Sequence, residues 1–194
     1  ELEEKLCFKF GKRNLMVTFH PVTLENDKSE RQFSEVLAVL ESLDDTYLIF
    51  TAPNADTNGR VITRMISTFV EKNSDSAVTF TSMGRANYLS TLQFVDAVVG
   101  NSSSGLLEAP SFGIGTINIG DRQNGRLKAE SVIDCEPSKG SLTQAIYKLY
   151  SGQFQKRLNS TKNPYGKGDA SQNILEILKT FDFPIETKKS FYDL

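Results

Sequence analysis

Val99-Gly100-Asn101-Ser102-Ser103-Ser104-Gly105-Leu106-Leu107-Glu108 is the stretch on which the fold turns. Ala97, Val98 and Val99 are apolar and end at Gly100, which reads as a short buried strand. A serine cluster and a second glycine follow, and Leu106, Leu107 and Ala109 then begin a helical pattern. Strand, Gly- and Ser-rich turn and helix together form the joint of a parallel α/β sheet. Orphan N–H groups at such a helix start carry partial positive charge. Serine hydroxyls add donors, and glycines let a ligand approach the backbone. The joint is therefore suited to a phosphate or pyrophosphate. A plain alternative is that Ser103 or Ser104 only caps the helix. No Gly-Lys-Ser/Thr follows and the GxGxxG spacing is absent, so this is neither a Walker A loop nor the dinucleotide fingerprint.

The same alternation runs outward. Leu15–Phe19, Tyr47–Phe50, Ala77–Phe80, Thr116–Ile119 and Val132-Ile133 read as further strands. Ser29 with Gln32 forms a capping box for a helix through Phe33, Val36, Leu37 and Leu40. Val61, Ile62, Met65, Ile66, Phe69 and Val70 line another helix, and Tyr88, Leu89 and Leu92 a shorter one. Ser141 with Gln144 predicts a second capping box, opening a helix through Ala145, Ile146 and Leu149. Ile174, Leu175, Ile177 and Leu178 mark the last helix. About six strands, most followed by a helix, predict an α/β fold. The alternation predicts a parallel sheet with helices on both faces, one domain over residues 1–194.

Composition narrows the function. Lys and Arg number 22 against 24 Asp and Glu, a net charge of −2, and the pI is about 5.6. That balance argues against a nucleic-acid or anionic-membrane surface. No apolar run nears the ~20 residues of a membrane span. Cys7 and Cys135 have no metal-ligand spacing, and a single histidine, His20, argues against most zinc sites. Two isolated cysteines point to a cytoplasmic protein with reduced thiols. The chain opens at Glu1 without a methionine, which points to a fragment or a processed chain.

In parallel sheets, ligands bind beyond the carboxyl ends of the strands. That selects His20, Thr51 to Asn54, Thr81 to Gly84, Asn101 to Gly105 and Asp121 to Arg126. His20 could donate to a phosphate or act as an acid, or serve as a structural hydrogen-bonder. Glu108, one turn beyond Ser104, could accept from vicinal ribose hydroxyls, or be a favourable charge in a first helical turn. Arg122 and Arg126 could clamp an anion, or decorate a solvated turn. Asn163-Pro164-Tyr165-Gly166-Lys167-Gly168 reads mostly as a turn before the last helix.

Taken together, the chain resembles the C-terminal half of the hydrolysing UDP-N-acetylglucosamine 2-epimerases of the sialic-acid biosynthesis type. The resemblance lies in Val17-Thr18-Phe19-His20-Pro21-Val22-Thr23, Val99 to Gly105, Ile117-Asn118-Ile119-Gly120-Asp121-Arg122-Gln123 with Gly125-Arg126, and Asn163-Pro164-Tyr165-Gly166. It implies a glycosyltransferase-B-like enzyme with its active site between two Rossmann-like domains. Such enzymes convert UDP-GlcNAc into N-acetylmannosamine and UDP through a 2-acetamidoglucal, with no metal or other cofactor. By position, the resemblance implies His20 and Arg122 at the phosphates as catalytic groups. It implies Asn54 beside His20, Ser82 and Met83 at the uracil with Tyr88 nearby, Ser102 and Ser103 at the diphosphate, and Glu108 at the ribose. The family's usual proline before the strand at Ile117 is replaced by Gly115, which predicts a looser loop there. The carboxylates that handle the C2 proton would lie in an N-terminal domain absent from this chain. The expected partners are therefore UDP-GlcNAc or UDP, that N-terminal domain, and a further copy in a homo-oligomer. A GDP sugar remains an alternative ligand. A glycosyltransferase of the same architecture and a non-catalytic nucleotide-sugar-binding module remain alternative functions.

Overall fold

The computed structural model describes residues 1–21, 28–54, 59–166 and 168–182. One sheet of six strands carries the chain: β1 (Arg13–Thr18), β2 (Thr46–Thr51), β3 (Ala77–Phe80), β4 (Ala97–Gly100), β5 (Gly115–Ile119) and β6 (Val132–Cys135). The helices are α1 (Leu2–Leu6), α2 (Lys28–Glu41), α3 (Gly59–Lys72), α4 (Gly84–Thr91), α5 (Ser104–Leu107), α6 (Lys139–Leu149), α7 (Gly152–Leu158) and α8 (Ala170–Thr180), with a 3-10 turn at Ala109–Phe112. All pairings are parallel and the strand order is β3-β2-β1-β4-β5-β6. The order reverses between β1 and β4, so a crevice opens above their carboxyl ends.

Strand alternation divides the core in two. Leu15, Val17, Leu48, Phe50 and Val99 join the buried faces of α2, α3 and α6, including Phe33, Val36, Ile62, Ile66, Leu142 and Ile146. Met16, Ile49 and Val98 point the other way, among Leu6, Phe8, Leu92, Val95 and Ile114. Each strand residue therefore packs on the face its parity dictates, and both faces are covered, as an all-parallel sheet requires.

Glycine sets the closest approach in the sheet. Gly100 pairs with Thr18 and has φ +135°. A Cβ there would lie 1.9 Å from the Thr18 carbonyl oxygen. Only glycine lets the end of β4 come this near to β1.

Several sequence expectations change. α2 begins at Lys28, so Ser29 is buried inside its first turn rather than standing before it. α6 is capped by Ser138, whose Oγ accepts from Ser141 N–H, while Ser141 Oγ accepts from Glu136 N–H. Ser138 has extended backbone and Ser141 is helical, and an N-cap needs the former. Gly115 sits in β5 rather than in a loose loop. A Cβ there would lie 2.3 Å from Leu149 Cδ1, so tight packing excludes a side chain. α5 lasts a single turn before Pro110, short of the longer helix that Leu106, Leu107 and Ala109 suggested. α1 and α7 carry no strong periodic signal and were not expected from the sequence. α8 forms as expected but buries no residue, leaving Ile174, Leu175, Ile177 and Leu178 exposed. Val22, Thr23 and Lys167 lie outside the described residues.

Candidate functional site

The crevice is organised by Asn101, the first residue beyond β4, which is 1% exposed. Because β4 ends against β1, Asn101 N–H donates to the Thr18 carbonyl at 3.1 Å. Its side chain then reaches His20 beyond β1. Asn101 Oδ1 accepts from His20 N–H at 2.7 Å, and Nδ2 donates to the His20 carbonyl at 2.8 Å. The Asn101 carbonyl accepts twice more, from Arg122 Nη1 at 3.0 Å and Gln123 Nε2 at 2.8 Å. One buried asparagine thus ties together the loops after β1, β4 and β5.

His20 is oriented on its other side as well. Its Nδ1 accepts the Asn54 backbone N–H at 3.1 Å. A neutral ring in that arrangement carries its hydrogen on Nε2 and is a donor there. Asn54 itself is exposed at the rim.

The serine loop offers further donors. Ser103 occupies the N-cap position of α5 but makes no capping hydrogen bond with its side chain. Capping therefore does not account for Ser103. Among the described residues, the backbone N–H groups of Ser102 and Ser103 donate to no protein acceptor. The bond that Ser102 Oγ accepts from Ser104 N–H is long, at 3.4 Å. With α5 a single turn, any attraction for an anion here would come from these hydroxyls and N–H groups, since a macrodipole needs a longer helix. Ser104 turns away from this group and pairs its hydroxyl with that of Tyr88.

That pairing leads to a cavity of about 430 Å³ lined by Thr51, Ser82, Met83, Gly84, Arg85, Tyr88, Leu89 and Glu108. Glu108 ends α5, and its Oε2 is buried with no hydrogen-bond partner among the described residues. A buried carboxylate oxygen without a donor is costly, and ligand hydroxyls would satisfy it. Burial pushes the Tyr88 phenol above its ordinary value; the Ser104 contact opposes this and the Glu108 charge adds to it. Tyr88 therefore stays a neutral hydroxyl. A larger cavity, about 500 Å³, lies beyond β5 and β6. Asp121, Asp134 and Glu136 outnumber Lys128 in its lining, which is the wrong charge for a phosphate.

The structure therefore gathers the nominated residues into two adjoining groups. His20 and Arg122 bond to Asn101, Asn54 bonds to the His20 ring, and Ser102 and Ser103 are next in the chain. Ser82, Met83, Tyr88 and Glu108 line the cavity. The loop from Gly100 to Glu108 belongs to both. Sequence reasoning missed the anchoring roles of Asn101 and Gln123, and missed Arg85 in the cavity wall. Position just after β4 was the available signal for Asn101. The turn after α7 is more than punctuation: Asn163 Nδ2 donates to the Leu107 carbonyl at 2.8 Å and to Ser111 Oγ at 2.7 Å. It braces the loop that carries Glu108. Among the described residues, no cluster of three or more His, Cys, Asp or Glu could hold a metal, and no helix is long and apolar enough to cross a membrane.

Fold and site together define a doubly wound, Rossmann-like α/β domain whose strand-end crevice presents hydrogen-bond donors beside a carboxylate with one buried oxygen. The chain belongs to the UDP-N-acetylglucosamine 2-epimerase family, whose profile matches residues 2–179. It is 38% identical over 195 residues to a Campylobacter jejuni GDP/UDP-N,N'-diacetylbacillosamine 2-epimerase (hydrolyzing), covering all of this chain and 50% of that protein. It is 35% identical over 200 residues to polysialic acid biosynthesis protein P7 of Escherichia coli, covering 99% of this chain and 50% of that one. Its fold matches the S. aureus MnaA-UDP co-structure with a TM-score of 0.69 at 18% identity, over 92% of this chain and 48% of the other. The chain thus spans about half the length of the proteins it matches.

Proposed function

We propose that this chain is the nucleotide-holding, C-terminal half of a hydrolysing UDP-N-acetylglucosamine 2-epimerase. The observation that carries the reading is the Asn101 knot, which ties a histidine and an arginine to the start of a serine loop whose N–H donors are unused among the described residues. The diphosphate lies on Ser102 and Ser103, within reach of His20 Nε2–H and the Arg122 guanidinium. The nucleoside extends into the cavity, with the ribose hydroxyls on Glu108 and the base against the backbone of Ser82 and Met83 near Tyr88.

UDP leaves as an anion when the C1–O bond breaks, and the C2 proton is taken by a base. Donors already aimed at the leaving oxygens stabilise the charge as it develops. Arg122 serves this purpose because Asn101 holds one end of its guanidinium while other N–H groups remain to face the ligand. Water then adds to the glycal, giving N-acetylmannosamine and free UDP. The base and the sugar-binding carboxylates belong to an N-terminal domain, so this chain alone binds nucleotide and turns nothing over. A cytoplasmic place in sialic-acid synthesis, and assembly as a homo-oligomer at full length, belong to the same reading.

Calorimetric titration of this chain with UDP, GDP and ADP tests the binding half of the proposal. UDP binding at least tenfold tighter than ADP is expected. Tighter GDP binding would move the assignment to a GDP sugar, and no heat with any of the three would overturn it. For the full-length protein, free N-acetylmannosamine from UDP-GlcNAc supports epimerisation, whereas a glycosylated acceptor would indicate transfer.

A further inference from the structure

We infer that Asn101 is a positioning residue for the reaction, setting His20 and Arg122 as one unit. The inference deepens the proposed function and rests on it for its catalytic consequence. The geometric part stands on its own.

Four hydrogen bonds meet at this residue besides the one from its own N–H. The side-chain amide closes a two-bond ring with the His20 backbone, at 2.7 and 2.8 Å. Each bond dictates which end of the amide is oxygen, since His20 N–H requires an acceptor and the His20 carbonyl a donor. The Asn101 carbonyl then accepts from Arg122 and Gln123, at 3.0 and 2.8 Å. At 1% exposure, water cannot replace these partners.

Only an amide of this length can do both tasks. Aspartate has the same shape but no donor, so one of its oxygens would face the His20 carbonyl. Alanine would remove both of these bonds to the His20 backbone. In either case the His20 backbone leaves its place, and the ring loses the Asn54 N–H on Nδ1. The tautomer is then no longer fixed, and the Nε2 donor loses its direction. Arg122 is bound to the same residue and shifts with it. Asn101 touches neither nucleotide nor sugar in this arrangement; it acts through the two groups that do.

His20 is the only histidine in the chain, so its ring nitrogens can be read without assignment. Nitrogen-15 NMR of this chain at neutral pH should show Nδ1 unprotonated and Nε2 protonated. The reverse tautomer in the wild-type chain would overturn the inference before any variant is made. In Asn101→Asp, the ring signals should move to a tautomer mixture. In the full-length enzyme, kcat should fall about 10²-fold while KM for the nucleotide sugar changes less than about threefold, the pattern of a lost transition-state contact. Gln123→Leu removes one donor to the Asn101 carbonyl and leaves the His20 ring of hydrogen bonds intact, so it should keep the tautomer and lose less than tenfold in kcat. Asn101→Asp that leaves the melting temperature and tautomer of the chain and the kcat of the full-length enzyme unchanged refutes the inference. If wild-type His20 shows the expected tautomer but UDP does not bind, the anchoring role stands and the proposed function fails.

Discussion

Gly100→Ala tests the close approach of β4 to β1 on which the crevice depends. The substitution acts in two ways. At φ +135° an L-residue is strained, by about 1–2 kcal/mol on the scale of left-handed backbone. The new Cβ would also lie 1.9 Å from the Thr18 carbonyl oxygen and 2.7 Å from its carbon. Both are backbone atoms, so no side-chain rotation relieves the overlap, and the strands must part at a cost of about 1–3 kcal/mol. Together these give a loss of about 3 kcal/mol, or roughly 6–12 °C in Tm for a chain of this size. Gly125→Ala is the control, because Gly125 has φ +77° and nothing within 4 Å of a built Cβ. It carries the backbone strain without the overlap and should lose only about 1–2 kcal/mol. Thermal unfolding followed by circular dichroism measures both. Equal Tm losses in the two variants would show that the overlap costs nothing and that the strands do not need to meet so closely.

Glu108→Gln keeps the size and removes the charge of the carboxylate whose Oε2 has no partner among the described residues. UDP affinity should fall about tenfold, the difference between charged and neutral hydrogen bonds, and 2′-deoxy-UDP should discriminate wild type from variant less than UDP does; unchanged UDP affinity removes Glu108 from the ribose. In the full-length enzyme, Arg122→Ala should lower kcat/KM by roughly 10²-fold, and unaltered kinetics would exclude it from stabilising the leaving group. Burial, helped by Asp134 and Glu136, pushes the Cys135 thiol up to about 12. The thiol form therefore holds below that pH, and the reactive thiolate grows only as pH rises towards 12. At pH 8 a thiol reagent should label exposed Cys7 first and Cys135 slowly until the chain unfolds; two equal fast rates would contradict this.

The strands were legible because each is a short apolar run closed by glycine or a polar residue, and a sheet buried on both faces demands that pattern. Helix starts were less so. Ser138 and Ser141 are both plausible caps by composition, and only backbone angles separate them. Gly115 shows a different limit: the sequence shows a missing side chain, but the Leu149 methyl that fills its place comes from 34 residues away. In the site, position after a strand singled out His20, the serine loop and Arg122. The role of Asn101 was not legible, because it arises from two strands that approach through Gly100 and are 81 residues apart at the contact. Arg85 was overlooked because the cavity wall is a product of how α4 leaves β3.

The last helix separates two properties that usually vary together. Among the described residues, α8 contributes no side chain to either core, and the two cores are built from residues up to Leu158. Its outward Ile174, Leu175, Ile177 and Leu178 favour contact between molecules as concentration rises. Eleven residues are also too few to hold a helix in water without packing. Solubility and thermal resistance of this domain can therefore be tuned by separate substitutions, the first within α8 and the second within the sheet.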